Sequence, residues 1–129
     1  MDPHNSYLNS HAEKLSIDYG TCLPPAHVIV GGPPCQGFSS AGVRREGDER
    51  NSLISVFANL VAKYQPSAFV FENVEGFLTA AHGKFILDLL TPLIEAGYRV
   101  HLRKINTANY GVPQHRKRVI AIGGLGWNP

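Results

Sequence analysis

His27-Val28-Ile29-Val30-Gly31-Gly32-Pro33-Pro34 is a short apolar run halted by two glycines and two prolines, the pattern of a buried strand that ends in a loop. Beyond it, residues 36–50 are rich in Gly, Ser, Arg and Glu and read as an exposed loop. Asn51 can cap a helix, and Leu53, Val56, Phe57, Leu60, Val61 and Tyr64 then recur at helical spacing until Gln65-Pro66. Ala68-Phe69-Val70-Phe71 reads as a second buried strand that runs directly into Glu72-Asn73. A second helical stretch holds Phe85, Ile86, Leu89, Leu90, Leu93 and Ile94 and stops at Gly97, with Pro92 expected to kink or divide it. Residues 98–105 and 118–122 read as two more strands, joined by a loop containing Gly111-Val112-Pro113. On the other side, residues 1–25 are polar, end in Pro24-Pro25 and read as a lead-in to a domain spanning 26–129.

Strands alternating with helices predict an α/β domain with an at least partly parallel sheet. In such sheets chemistry gathers outside the carboxyl ends of the strands. Cys35 and Glu72 each follow a predicted strand, which places both on that rim.

Composition narrows the function classes. A chain of 129 residues, 43% hydrophobic and 17% charged, suffices for one domain with one core and excludes disorder as the default. No apolar run approaches a membrane span, and the N-terminus lacks the basic and apolar regions of a signal peptide. Cys22 and Cys35 lie thirteen positions apart with no CxxC, and the six histidines form no close pair. Neither a disulfide framework nor a metal site is expected, and a reducing, cytoplasmic setting fits. The net charge of +2 is unevenly spread: residues 1–95 carry all 10 acids and 6 bases, whereas residues 96–129 carry the other 6 bases and no acid. Such concentrated positive charge suits a polyanion such as nucleic acid, and equally a solvated strand face.

Three stretches can carry chemistry. Cys35 sits in Gly31-Gly32-Pro33-Pro34-Cys35-Gln36-Gly37-Phe38-Ser39, where the prolines stiffen the loop and the glycines admit a ligand closely. A cysteine held this way is a candidate nucleophile, whereas Cys22 has no such setting. Glu72, after four apolar residues, is expected to be partly desolvated, with its pKa raised, so that its carboxyl can donate a hydrogen bond to a heterocyclic nitrogen, or equally to be a strand-end glutamate facing water; Asn73 is expected to hold it in place. Gln114-His115-Arg116-Lys117-Arg118 is expected to begin the last strand, with Gln114, Arg116 and Arg118 on one face, able to bind a base carbonyl, a phosphate or Glu72. No GxGxxG, P-loop or HExxH occurs, so no cofactor cradle is visible.

Together these stretches resemble the DNA cytosine-5 methyltransferases. The segment around Cys35 resembles the family's catalytic Pro-Cys loop, and Arg50-Asn51-Ser52-Leu53 the return of its mobile loop to a helix. Phe71-Glu72-Asn73-Val74 resembles its Glu-Asn-Val motif, and the stretch 109–118 its Gln-x-Arg-x-Arg motif. The order is the family's, over roughly residues 27–123.

The resemblance implies a partial Rossmann-like fold, incomplete and mostly parallel, that transfers a methyl group from S-adenosylmethionine to carbon 5 of a cytosine flipped out of double-stranded DNA. It implies a covalent Cys35 adduct, Glu72 at ring nitrogen 3 and the amine, Arg116 and Arg118 around the pocket with Arg118 at O2, and Ser39 and Arg50 near the flipped nucleotide and its backbone. Gln36 follows the nucleophile in the closing loop, and Pro34 matches a residue beside the donor. The glycine turn that holds the donor, and the target-recognition domain, have no counterpart in these residues. The chain is therefore expected to be the middle of a methyltransferase, a fragment or split subunit completed by a partner piece, of the bacterial restriction-modification type. An RNA cytosine-5 methyltransferase and a non-catalytic assembly subunit are the alternatives.

Overall fold

The computed structural model describes residues 27–34 and 52–129. The elements are β1 (Val28–Gly31), α1 (Ser52–Tyr64), β2 (Ala68–Val74), α2 (Lys84–Glu95), β3 (Tyr98–Asn106) and β4 (Lys117–Leu125), with short 3-10 turns at Glu75–Leu78, Ala80–Gly83 and Thr107–Tyr110. The four strands form one sheet in the order β1-β2-β4-β3.

β2 alternates strictly, with Phe69, Phe71 and Asn73 buried and the residues between them less so. Its two phenylalanines meet Phe57 of α1, with ring centroids 6.1 Å and 5.3 Å away; Phe69 also meets Tyr98 of β3, and Phe71 meets Phe77. Leu89 and Leu93 of α2 complete the same cluster, so both helices pack on one face of the sheet. Two glycines allow this close approach. A Cβ on Gly31 would lie 2.5 Å from the Phe57 ring, and one on Gly123 would overlap the Phe69 ring.

Helix ends follow local chemistry. Gln65 closes α1 with φ 47° ahead of Pro66, and Gly97 closes α2 with φ 99°. The cap expected at Asn51 lies outside the described residues. The buried face of α1 includes Ile54 and Ala58, which a strict reading of the larger residues passes over, while Val56 and Leu60 are half-buried. α2 runs undivided through Pro92, which sits in its last turn, and the proline's carbonyl accepts from Ala96 at 3.0 Å.

Three further expectations are corrected. Among the described strands the sheet is mixed, not mostly parallel: β1 and β2 are parallel, but β4 runs antiparallel to both β2 and β3. β4 follows β3 through a short connection, which forces an antiparallel return, and it slots between β2 and β3. Among the described strands β1 lies at a sheet edge, and it is not a buried strand: Val28 is 52% and Val30 71% exposed, because they face away from the described helices. β4 starts at Lys117 and runs through Gly123 and Gly124, so Gln114 and Arg116 precede the strand.

Candidate functional site

Because β1, β2 and β3 point the same way and β4 points back, one rim collects the carboxyl ends of three strands and the amino end of the fourth. Val74 stands opposite Arg118, and Glu72 opposite Ile120, so Glu72 and Arg118 are diagonal neighbours on one face. Arg118 Nε lies 2.9 Å from Glu72 Oε1, with side chains 21% and 43% exposed. Arg118 Nη1 also donates to the Lys117 carbonyl at 2.8 Å, which fixes the guanidinium's plane. The expected Glu72–Arg118 contact is thus formed. Glu72 is half-buried, its side chain 43% exposed, and its carboxylate pairs with that guanidinium.

The chain leaving β1 passes the same carboxylate. A Cβ on Gly32 would sit 3.1 Å from Glu72 Oε2, so glycine there lets the backbone lie against the acid. Cys35 comes three residues later. Cys35, Gln36, Ser39 and Arg50 lie outside the described residues, and Pro34, the last one before them, is exposed.

Asn73 does not hold Glu72. Strand alternation turns it to the helical face, where it is 2% exposed. Its Oδ1 accepts from the Val74 N–H at 2.8 Å, and its Nδ2 has no hydrogen-bond partner. Arg116 and Gln114 are both exposed in the connection ahead of β4, and among the described residues neither side chain hydrogen-bonds or ion-pairs with Glu72 or Arg118. That connection is held by backbone and side-chain bonds together. Thr107 N–H donates to the Arg116 carbonyl at 3.1 Å, Thr107 Oγ1 donates to the Gln114 carbonyl at 2.6 Å, and Asn106 Nδ2 lies 3.2 Å from His115 Nδ1.

Glu75 is a rim residue that the sequence reading missed. Its carboxylate accepts from Lys104 Nζ at 2.9 Å and lies 4.0 Å from Lys117 Nζ, joining the end of β2 to β3 and β4. The hydrogen bond from Lys104 holds this carboxyl below its ordinary pKa, and the charges of Lys104 and Lys117 act in the same direction. An acid just past the Glu72 strand, in a chain whose residues 96–129 hold six bases and no acid, was the available signal.

The sequence profile of the C-5 cytosine-specific DNA methylase family matches residues 5–126. The chain belongs to this family. It is 39% identical over 111 residues to the Type II methyltransferase M.AgeI of Thalassovita gelatinovora, covering 86% of this chain and 26% of that protein. It is 45% identical over 101 residues to the Type II methyltransferase M.BspRI of Lysinibacillus sphaericus, covering 78% and 24%. A crystal structure of a prophage-encoded protein (E. coli), described as a putative DNA modification methyltransferase, superposes with a TM-score of 0.68 at 31% identity over 88% of this chain and 30% of that one. The Entamoeba histolytica methyltransferase EhMeth shares the fold, with a TM-score of 0.67 at 18% identity over 88% of this chain and 35% of that one. The chain spans between 23% and 34% of the length of the curated relatives it matches.

S-adenosylmethionine is the co-substrate that this family implies. Of the residues that the resemblance places beside it, Pro34 is described, and it is exposed. Among the described residues no group of His, Cys, Asp and Glu could hold a metal ion, and no helix is long and apolar enough to cross a membrane.

Proposed function

We propose that the protein to which this chain contributes methylates carbon 5 of cytosine in double-stranded DNA, as a modification enzyme of the restriction-modification type. The observation that carries this reading is the convergence of Glu72, Arg118 and the Gly32 end of the Pro-Cys loop on one sheet rim. The target base is extruded from the duplex, since its reacting carbons are inaccessible inside the stack. The Cys35 thiolate adds to carbon 6, and the electron pair released from the 5,6 double bond makes carbon 5 nucleophilic. Glu72 interacts with ring nitrogen 3 and the amine, and Arg118 with O2, so both stabilise the charge that develops on the ring. After carbon 5 has taken the methyl group, a solvent base takes its proton, and that electron pair re-forms the 5,6 double bond and expels the thiolate. S-adenosylmethionine supplies the methyl group when bound.

Ser39, Gln36 and Arg50 act in this reading on the flipped nucleotide and its backbone, and Arg116 and Gln114 at the approach to the pocket. Pro34 borders the donor. Asn73 supports the end of β2 from the opposite side of the sheet. The donor site is completed by a complementary methyltransferase portion, and the whole works in the cytoplasm.

The test uses the enzyme assembled from this chain and that complementary portion. Cys35→Ser abolishes methyl transfer while sparing DNA binding, because a hydroxyl is a far weaker nucleophile than a thiolate near pH 7. A duplex carrying a mechanism-trapping cytosine analogue attaches covalently through Cys35 and not Cys22. Substantial turnover by Cys35→Ser, or preferential methylation of RNA, overturns the assignment.

A further inference from the structure

β3 is the other edge of the sheet, and its polar residues are ordered by the register. Arg99, His101 and Arg103 alternate along the strand, and all three are exposed. They stand opposite Gly124, Ile122 and Ile120. The partners of the intervening residues, Gly123, Ala121 and Val119, are buried under the helices. The three therefore form a row on the face that the helices leave open, over about 13 Å at 3.3 Å per residue. The row runs toward the rim, where Ile105 of β3 stands opposite Arg118.

The charge of this row is uncompensated. Residues 96–129 hold no acid, and the ion pairs of the described residues engage Lys84, Lys104, Lys117 and Arg118 but neither Arg99 nor Arg103. The strand edge along Val100, His101, Leu102, Arg103 and Lys104 is an open, nearly flat surface. Guanidiniums without an ion-pair partner among the described residues, on an open surface, are suited to phosphates, which they bind bidentately.

We propose that the outer edge of β3, through Arg99, His101 and Arg103, binds the phosphate backbone of nucleic acid at a place separate from the cytosine pocket on the rim. The inference rests on the DNA reading above for its ligand. The contacts involve phosphates alone, so this surface adds affinity and orients the duplex without reading sequence. Charged residues on an edge strand also occur simply to block strand pairing, and the experiment separates the two roles.

The full 129-residue chain is titrated with a fluorescently labelled duplex over a salt series from about 50 to about 200 mM, and log K is plotted against log salt. Arg99→Ala/Arg103→Ala should flatten the slope by about 1.8, so that the wild-type chain loses roughly tenfold more affinity over this range than the double variant. Arg99→Lys/Arg103→Lys should keep most of the slope. Lys63→Ala/Lys84→Ala, which removes two charges from the helical face, should leave it unchanged. An unaltered slope in Arg99→Ala/Arg103→Ala, an equal loss in the Lys63/Lys84 control, or no duplex binding by the wild-type chain overturns the proposal. So does tighter binding of poly-glutamate than of duplex at the row, which would make it a dock for acidic protein. The slope is read without turnover. Active Cys35→Ser with a flattened slope in the arginine variant would therefore refute the catalytic reading alone, and the converse would refute this one alone.

Discussion

β2 and β3 run in the same direction with β4 between them, yet they meet opposite surroundings. In β2 every second residue is buried, whereas in β3 only Tyr98 is, and residues 101–104 are all exposed. On the face toward the helices both strands carry apolar residues, Phe69 and Phe71 in β2 and Tyr98, Val100 and Leu102 in β3. What differs is cover: α1 and α2 lie over β2, while β3 has a strand on one side only. Burial here is a property of a strand's neighbours as much as of its composition.

The sharpest contrast is chemical, and it concerns the rim end of β2. In the assembled enzyme, Glu72→Gln should lower turnover by roughly two to four decades. Arg103→Ala on β3 should lower it only through DNA affinity, with kcat preserved at saturating duplex. Since Arg118 touches Glu72 at 2.9 Å, the loss in Glu72→Gln/Arg118→Ala should fall short of the product of the single losses. A product equal to the double variant's loss would mean that the pair does not act as a unit.

Packing gives the next largest difference. Phe71→Ala, at a fully buried ring in contact with Phe57 and Phe77, should cost about 3–5 kcal/mol in denaturant unfolding. Leu102→Ala, 38% exposed on β3, should cost less than about 1 kcal/mol. Similar losses at the two positions would show that β3 is covered in solution.

Tyr98 is where β3 joins the core, and its hydroxyl donates to the Pro66 carbonyl at 2.7 Å. Tyr98→Phe should cost about 1–2 kcal/mol. Burial raises the hydroxyl's pKa above its ordinary value of 10.0. This contribution is therefore complete below about pH 10 and lost as pH rises through the folded-state value. The phenylalanine variant should lack that alkaline loss in a melting-temperature profile.

The smallest effect belongs to the Glu75–Lys104 clasp between the end of β2 and β3. Glu75 has a lowered pKa, so its contribution is present above the ordinary carboxylate value of 4.5 and lost as pH falls through the folded-state value. Both side chains are exposed, so Glu75→Gln should only slightly flatten the acid limb of the melting profile. A steep acid change in that variant would mean that the clasp holds the rim together.

Local sequence determined the elements of this protein. The apolar runs at 28–30 and 68–71, the helical spacing after residue 53 and the stops at Gln65-Pro66 and Gly97 all act within a few residues, so their outcome was legible without a fold. The family was legible for the same reason, since the resemblance rested on contiguous stretches. Tertiary structure decided what depends on a partner distant in sequence. It set β4 between β2 and β3, which made the sheet mixed and brought Arg118 to Glu72 across 46 positions. It turned Asn73 away from Glu72, because alternation in a covered strand sends adjacent side chains to opposite faces. It gave Glu75 two lysines from other strands, and it left Val28 and Val30 facing outward on a strand composed like a core one. A residue's own chemistry sets which strand or helix it favours, but its burial and ion partners depend on which elements pack beside it.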